Sequence, residues 1–370
     1  MKIGLIFGTR PEAIKMASVY HQLNKNNIDT KVILTGQHKE MLEQVLNLFQ
    51  IKSDYNVGIM KEKQELSELT GKLIIELDKI IKNEKLDYIL VQGDTTSAFS
   101  GALVGFYNKI PVGHIEAGLR TGNIYSPFPE EVNRKLIGTI ADIHFAPTEI
   151  NVKNLKKEGI SENKILKCGN TVIDSLKWII KNKSEILEEI RKKYNINDKK
   201  YILLTMHRRE NWGNPMKEVL SAIKDYINKK EDLYIVFPMH LNPKVREIIN
   251  ETLKDCKNKI LLEPLEYLEF IAVMEKAHYI MTDSGGIQEE APTLGKPTLV
   301  LRDTTERPEA IEEGTAKLVG TSYKNVLKFM ELLEGKLYQD MSKVENPYGD
   351  GKTSEKIRLY LQKIESEGKI

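Results

Sequence analysis

The run Asp283-Ser284-Gly285-Gly286 is followed, six residues after Ser284, by Glu290. An apolar stretch at 279–282 leads into it, so the sequence predicts a strand, a tight turn and a helix start, with a side chain that can cap the helix. Free main-chain N–H groups in such a turn and the positive end of the helix dipole favour an anion, and glycine lets that anion approach the backbone. A carboxylate on the young helix repels phosphate but can accept hydrogen bonds from a ribose diol. Phosphate on Ser284, Gly285 and Gly286, with ribose on Glu290, would be a nucleotide. A glycine pair alone makes only a turn, so the rest of the chain must carry this reading further.

Other chemistry-bearing residues also fall just after apolar stretches. Residues 2–7 run into Gly8-Thr9-Arg10-Pro11-Glu12, where Pro11 suits the first position of a helix. Arg10 occupies the second glycine position of a dinucleotide fingerprint, which rules that motif out. Arg10 and Lys15 instead offer a fork and a point charge to a diphosphate. Gln37 and His38 follow a strand at 31–35, and Asp94 follows one at 88–91. Asp94 has two readings, a site acid or a cap for the small-residue helix at 97–107. Glu116 has no helix start beside it and reads as a site acid sharing the crevice with Arg10 and Asp94. Pro129 opens a helix whose first turn carries Glu130 and Glu131, which also suits the helix dipole. His207 ends a strand at 201–205 and is followed by Arg208 and Arg209.

Strands expected at 2–7, 31–35, 88–91, 110–115 and 143–146 alternate with helices, and 143–146 closes that half. Residues 164–174 read as the passage to a second half, with strands at 201–205, 233–237, 260–262, 279–282 and 297–301. The expected class is α/β, two Rossmann-like lobes facing across a cleft lined by strand ends.

At 370 residues the chain is long enough for two such lobes. Its 55 Lys and Arg against 53 Asp and Glu are scattered, which argues against nucleic acid as a partner. Cys168 and Cys256 form no CxxC pair, so reduced buried thiols are expected in place of a disulfide framework or zinc site. The apolar run before Gly8 is too short for a signal peptide or a membrane span, so no membrane insertion and a cytoplasmic protein are expected. The Lys/Glu-rich stretch 177–200 reads as a solvated helix face.

Taken together, the motifs resemble the non-hydrolysing UDP-N-acetylglucosamine 2-epimerases. The resemblance rests on Gly8-Thr9-Arg10-Pro11-Glu12-Ala13 with Lys15, Thr35-Gly36-Gln37-His38, Gln92-Gly93-Asp94-Thr95 and His114-Ile115-Glu116-Ala117-Gly118-Leu119-Arg120-Thr121. It continues through Pro129-Glu130-Glu131-Val132-Asn133-Arg134, His207-Arg208-Arg209-Glu210-Asn211, the 279–292 block and Arg302-Asp303-Thr304-Thr305-Glu306-Arg307-Pro308-Glu309. It implies the GT-B-type glycosyltransferase fold. The N-terminal lobe would span 1–168, completed by a C-terminal helix at 353–370, and the lobe at 169–352 would bind UDP.

The resemblance also implies interconversion of UDP-GlcNAc and UDP-ManNAc without metal or nicotinamide, through elimination of UDP to 2-acetamidoglucal and re-addition. Asp94, Glu116, Glu130 and His207 would be the proton-transfer groups. Arg10, Lys15, Ser284, Gly285 and Gly286 would hold the diphosphate, Glu290 the ribose, and Phe270 would lie near the uracil, with Arg307 in the pocket. A regulatory UDP-GlcNAc site would touch Gln37, His38, Arg208 and His240. Glu40, Lys72 and Leu265 depart from the glutamine, arginine and polar residue expected at those positions. The family tends to be dimeric. Two neighbouring activities share these features, hydrolysing epimerases that release ManNAc and UDP, and glycosyltransferases of the same fold.

Overall fold

The computed structural model describes residues 1–36, 39–59 and 64–368. The chain divides into two compact units, Met1–Trp178 with Tyr348–Ile370, and Ile179–Pro347. The first holds a seven-stranded sheet made of β1 (Lys2–Phe7), β2 (Asp29–Leu34), β3 (Tyr55–Asn56), β4 (Tyr88–Gln92), β5 (Val112–Ile115), β6 (Ile143–Ala146) and β7 (Ile165–Lys167). The second holds a six-stranded sheet made of β8 (Lys200–Thr205), β9 (Leu233–Pro238), β10 (Lys259–Leu262), β11 (Tyr279–Thr282), β12 (Thr298–Val300) and β13 (Ala316–Leu318). Each unit is Rossmann-like, and the pair belongs to the GT-B-type class.

Among the described residues every strand pairing is parallel. That is why β1, β4 and β8 are nearly continuous apolar runs: helices cover both faces of a parallel sheet, so there is no wet face for polar residues to occupy. Strand order is β3-β2-β1-β4-β5-β6-β7 in one sheet and β10-β9-β8-β11-β12-β13 in the other. In both, the chain moves outward on one side and then returns to the other side of its first strand. The resulting switch points lie between β1 and β4 and between β8 and β11. There the connections leave in opposite directions and open a crevice at the carboxyl ends.

The helix Thr96–Tyr107 shows how small residues permit the covering layer. A Cβ added at Gly101 would lie 3.0 Å from Ile6 Cγ2 and 3.2 Å from Val91 Cγ1, and one at Gly105 would lie 2.8 Å from Val112 Cγ2. The apolar core beneath it includes Ile6, Val91, Ala98 and Ala102. In the second unit Ile202, Leu204, Phe237 and Met281 form the corresponding core.

Several local expectations need correction. The strand at 143–146 does not close the first sheet, because β7 pairs with β6 through Phe145↔Leu166. Its three residues, none of them fully buried, are too few for an apolar period to show. Residues 168–174 are not a passage either. Asp174 is buried and accepts main-chain N–H from Thr353 at 3.2 Å and Ser354 at 2.7 Å, capping the helix Thr353–Ser366 from outside. At the other end of that helix Glu365 accepts from the N-terminal amine of Met1 at 2.7 Å. The helix Arg10–Lys25 starts one residue before Pro11, with Thr9 and Glu12 in a reciprocal capping box. The stretch 177–200 is only partly a solvated face, since Ile179, Leu187 and Ile196 are buried. The short strands β3 and β13 and the helices Leu66–Glu84 and Tyr323–Leu332 were not foreseen.

Asp174→Ala would leave two buried N–H groups without an acceptor. It is expected to destabilise the protein by about 2 kcal/mol. A urea-unfolding midpoint unchanged from wild type would show that the cap contributes nothing.

Candidate active site

At the first switch point the chain turns sharply after β1, β4 and β5. After β1, Glu12 is buried and its Oε2 accepts from the main-chain N–H groups of Gly8 at 3.0 Å and Thr9 at 2.7 Å. Its Oε1 accepts from Thr95 Oγ1 at 2.6 Å, which ties the β1 turn to the β4 turn. Burial pushes the Glu12 carboxyl above its usual range in spite of these donors. After β4, Asp94 is held by Arg134, with Nε at 2.8 Å and Nη2 at 2.6 Å from Oδ2. Thr95, not Asp94, caps the helix Thr96–Tyr107, accepting from Ala98 N. Of the two readings of Asp94, the cap is therefore excluded.

Glu116 follows β5 with a left-handed φ of 64°. Its carboxylate is 2.6 Å from Lys15 Nζ through both oxygens and accepts from Gln92 Nε2 and, at 3.2 Å, from Asn170 Nδ2. Lys15 thus places its charge on Glu116. His114, one turn of strand earlier, is buried and bonds Gly93 O through Nε2 at 2.7 Å. Burial lowers its pKa to about 3, so the ring is neutral and donates that bond. Arg10 is half-exposed in the first helical turn and makes no hydrogen bond or ion pair among the described residues. Glu130 is the first residue of the helix Glu130–Ile140, half-exposed and without a side-chain partner among them. Its neighbour Glu131 is the structural acid. Burial would raise its pKa, but the N–H groups of Thr121 and Gly122, each at 3.1 Å, and Arg134 at 3.0 Å hold it low.

At the second switch point Asp283 plays the organising part. Its side chain is fully buried between β8 and β11, where Thr282 pairs with Thr205. It accepts from His207 N at 3.1 Å, Arg208 N at 3.0 Å and Asn211 Nδ2 at 2.9 Å. His207 Nδ1 lies 3.1 Å from Oδ1. A carboxylate there fixes the Nδ1–H tautomer and leaves Nε2 of the half-exposed ring to take or give a proton. Burial works against the Asp283 charge, but the His207 contact and the other donors hold its pKa below the usual carboxylate range.

The helix Gly285–Glu290 begins without a side-chain cap from Ser284. A Cβ at Gly285 or Gly286 would meet nothing within 4 Å, so no protein atom near these positions demands glycine. What glycine leaves there is bare main chain. Glu290 accepts from Tyr267 OH at 2.6 Å, on the helix Tyr267–Lys276 that also carries half-buried Phe270. Arg307 pairs with Glu289 and donates to Glu306 O at 3.2 Å. Glu306 in turn holds Arg302 at 2.6 Å and Arg208 at 3.3 Å. Burial opposes the charge on Glu306, yet these arginines bring its pKa to about 2. His240 accepts from Asn242 N through Nδ1 at 3.1 Å and packs at a tilt of 55° against Trp212, with ring centroids 5.6 Å apart.

Within the first unit the structure gathers Lys15 onto Glu116 and places Arg10, Asp94 and Glu130 on turns or helix starts, Arg10 and Asp94 at the same crevice. Within the second it gathers His207, Arg208 and the 283–286 turn, with Glu290 and Phe270 on neighbouring helices. Gln37 and His38 lie outside the described residues. Lys72 pairs with Glu68 on an exposed helix face. The partners Gln92, Arg134, Asn170, Asp283 and Glu306 were assigned no role from the sequence. Two of them had a local signal, Arg134 at i,i+3 from Glu131 and Glu306 at i,i+4 from Arg302.

Asp283→Asn should cost about 2 kcal/mol at pH 7, because a charged acceptor of four donors becomes a neutral one. A carboxylate whose pKa is depressed by folding stabilises above its unfolded value near ~4, and loses that contribution as pH falls through its folded value. The gap between wild-type and variant urea midpoints should therefore be full at pH 7 and shrink below about pH 4. A gap independent of pH would show that charge is not the reason.

Comparison with known proteins places these features in a family. Residues 21–362 match the family model described as UDP-N-acetylglucosamine 2-epimerase. The UDP-N-acetylglucosamine 2-epimerase of Bacillus subtilis is 49% identical over 362 residues, 96% of this chain and 94% of the relative. The crystal structure of UDP-GlcNAc 2-epimerase from Neisseria meningitidis bound to UDP-GlcNAc superposes with a TM-score of 0.86 at 49% identity, covering 98% of this chain and all of that one. The Methanocaldococcus jannaschii enzyme in complex with UDP-GlcNAc and UDP gives 0.78 at 38% identity, covering 98% and 99%. With the matched model spanning most of its length and relatives near half identical across it, this chain belongs to the UDP-N-acetylglucosamine 2-epimerase family.

Proposed function

We propose that this protein interconverts UDP-GlcNAc and UDP-ManNAc by a non-hydrolysing route. The C2–H bond breaks as a base takes the proton, C1=C2 forms, and UDP leaves with the electron pair of the C1–O bond. The 2-acetamidoglucal then receives UDP again at C1 and a proton at C2 from its other face. Asp94, Glu116, Glu130 and His207 are the groups for these transfers. Arg10, Lys15 and the 284–286 turn steady the departing diphosphate, Glu290 takes the ribose, Phe270 lies by the uracil, and Arg307 belongs to the sugar-nucleotide pocket. The demand for two proton transfers and for cations at the leaving group is what such a set supplies.

The observation that carries the reading is the Lys15–Glu116 pair on left-handed backbone at the first switch point. Left-handed backbone is disfavoured for a non-glycine residue, and such positions recur where a fold preserves a reactive geometry. The bare main chain at Gly285 and Gly286 supports the anion site. Free, buried Cys168 and Cys256 fit the cytoplasmic setting expected for the protein. None of the described helices is long and apolar enough to cross a membrane.

Proton NMR of the protein with UDP-GlcNAc in deuterated buffer tests the reaction. Deuterium should enter C2 while UDP-ManNAc accumulates, and Glu116→Gln should lower kcat by ~10²–10⁴ with little change in KM. Free ManNAc and UDP as the only products would replace this route with hydrolysis. A spectrum unchanged from either nucleotide sugar would remove the enzyme reading.

The protein acts as a homodimer in this reading. Ile75 on the helix Leu66–Glu84, with Phe106 and Tyr107 on the adjoining helix Thr96–Tyr107, are large apolar side chains 58–63% exposed. A second copy covering them would remove that surface from water. Sedimentation equilibrium should give twice the monomer mass, and Phe106→Glu with Tyr107→Glu should return the monomer. A wild-type monomer would sink the dimer, and a dimer in the double variant would move its interface elsewhere.

A further inference from the structure

Asn170 joins two parts of the first unit that are remote in sequence. Its Nδ2 donates to Glu116 Oε1 at 3.2 Å, its Oδ1 accepts from Val172 N at 3.1 Å, and its own main-chain N–H donates to Tyr348 O at 2.7 Å. Only one orientation of the amide serves both neighbours, because a carboxylate accepts and an N–H donates. The side chain is 2% exposed. The segment around it cannot easily shift. Gly169 has φ +99°, and a Cβ there would lie 2.6 Å from Thr353 Oγ1 and 3.1 Å from Gly349 Cα. The chain leaving β7 and the chain returning at Tyr348 are therefore in direct contact beside Glu116.

Glu116 has two kinds of partner. Lys15 supplies charge, but an ammonium on a flexible stem attracts a carboxylate without fixing the plane of its oxygens. The amides of Gln92 and Asn170 donate along set directions, one to each oxygen. Gln92 lies at the end of the adjacent strand, whereas Asn170 approaches from another segment and is itself gripped by main chain. We propose that Asn170 is a positioning residue for Glu116, orienting the carboxylate for proton transfer at C2 and fixed in turn by the returning chain at Tyr348. The assignment rests on the epimerase reading above.

Asn170→Asp tests it, since the side chain keeps its shape and the acceptor for Val172 while the donor to Glu116 becomes an oxygen. Relative to wild type, kcat and the rate of C2 deuterium incorporation should fall by about 10- to 100-fold, the loss expected for a hydrogen bond to a charged group. KM should change by less than about threefold; the unfolding midpoint should fall, because the substitution buries a second carboxylate beside Glu116, so rates are compared per folded protein. In a Glu116→Gln background the same substitution should cost less than about threefold, because the interaction it breaks is already altered. Unchanged kcat in Asn170→Asp would overturn the proposal, as would an equal loss with and without Glu116→Gln. A loss matched by a fall in the fraction of folded protein would reduce Asn170 to a structural residue and overturn it too. Wild-type protein run alongside separates the two readings. If it shows no C2 exchange, the epimerase reading fails and takes this assignment with it; if it exchanges normally, only Asn170 is on trial.

Discussion

A parallel sheet covered by helices on both faces leaves the chain few places to be polar, and the carboxyl ends of its strands are the principal ones. There the strand carbonyls end, helices begin, and main-chain N–H groups are free to bond side chains. Both sheets of this protein place acids at or just beyond these ends, and several of those acids are withdrawn from water. Glu12, Glu131 and Asp283 are buried and have been given N–H donors from their own or neighbouring turns. The rest of each site depends on that exchange of water for fixed donors, because it sets the path of every turn that carries a candidate reactive group.

The two units solve the same problem with different partners. In the first, cations do much of the work: Lys15 on Glu116 and Arg134 shared between Asp94 and Glu131. In the second, a single buried carboxylate, Asp283, gathers main-chain N–H groups and an imidazole, while the arginines are tied in a chain through Glu306 and Glu289. Charge in these clusters is largely matched inside each unit. An anionic ligand must therefore compete with the internal carboxylates for Lys15, Arg208 and Arg307, or share them. Arg10 is the cation of the expected diphosphate set that has no such competitor among the described residues.

This arrangement also separates fold from chemistry. Two Rossmann-like sheets with switch points fix where a ligand binds, and many reactions are compatible with that placement. The distinguishing features are side-chain pairs: a carboxylate on left-handed backbone beside a lysine, and a histidine whose tautomer is set by a buried aspartate. These are the details on which a proton transfer depends, since a group a fraction of an ångström out of line loses much of its effect.

The strands β1, β4, β8 and β11 were legible in the sequence because a strand buried on both faces is an uninterrupted apolar run, and the turns after them because glycine, proline and capping residues act locally. The candidate residues Arg10, Asp94, Glu116, His207 and the 284–286 turn were found the same way, by position at or just after the end of such runs. What the sequence did not reveal were the partners. Glu116 and Asn170 are 54 residues apart, Asp94 and Arg134 are 40 apart, His207 and Asp283 are 76 apart, and Asp174 and Ser354 are 180 apart. Residue type and spacing carry no record of such pairings, which follow from strand order and from which turns the switch points bring together. The same reason hid β7, whose three residues become a strand only because β6 offers an edge to pair with. Sequence alone determined which residues stand at the strand ends; tertiary structure decided which of them touch, because contact across a sheet is set by topology and not by distance along the chain.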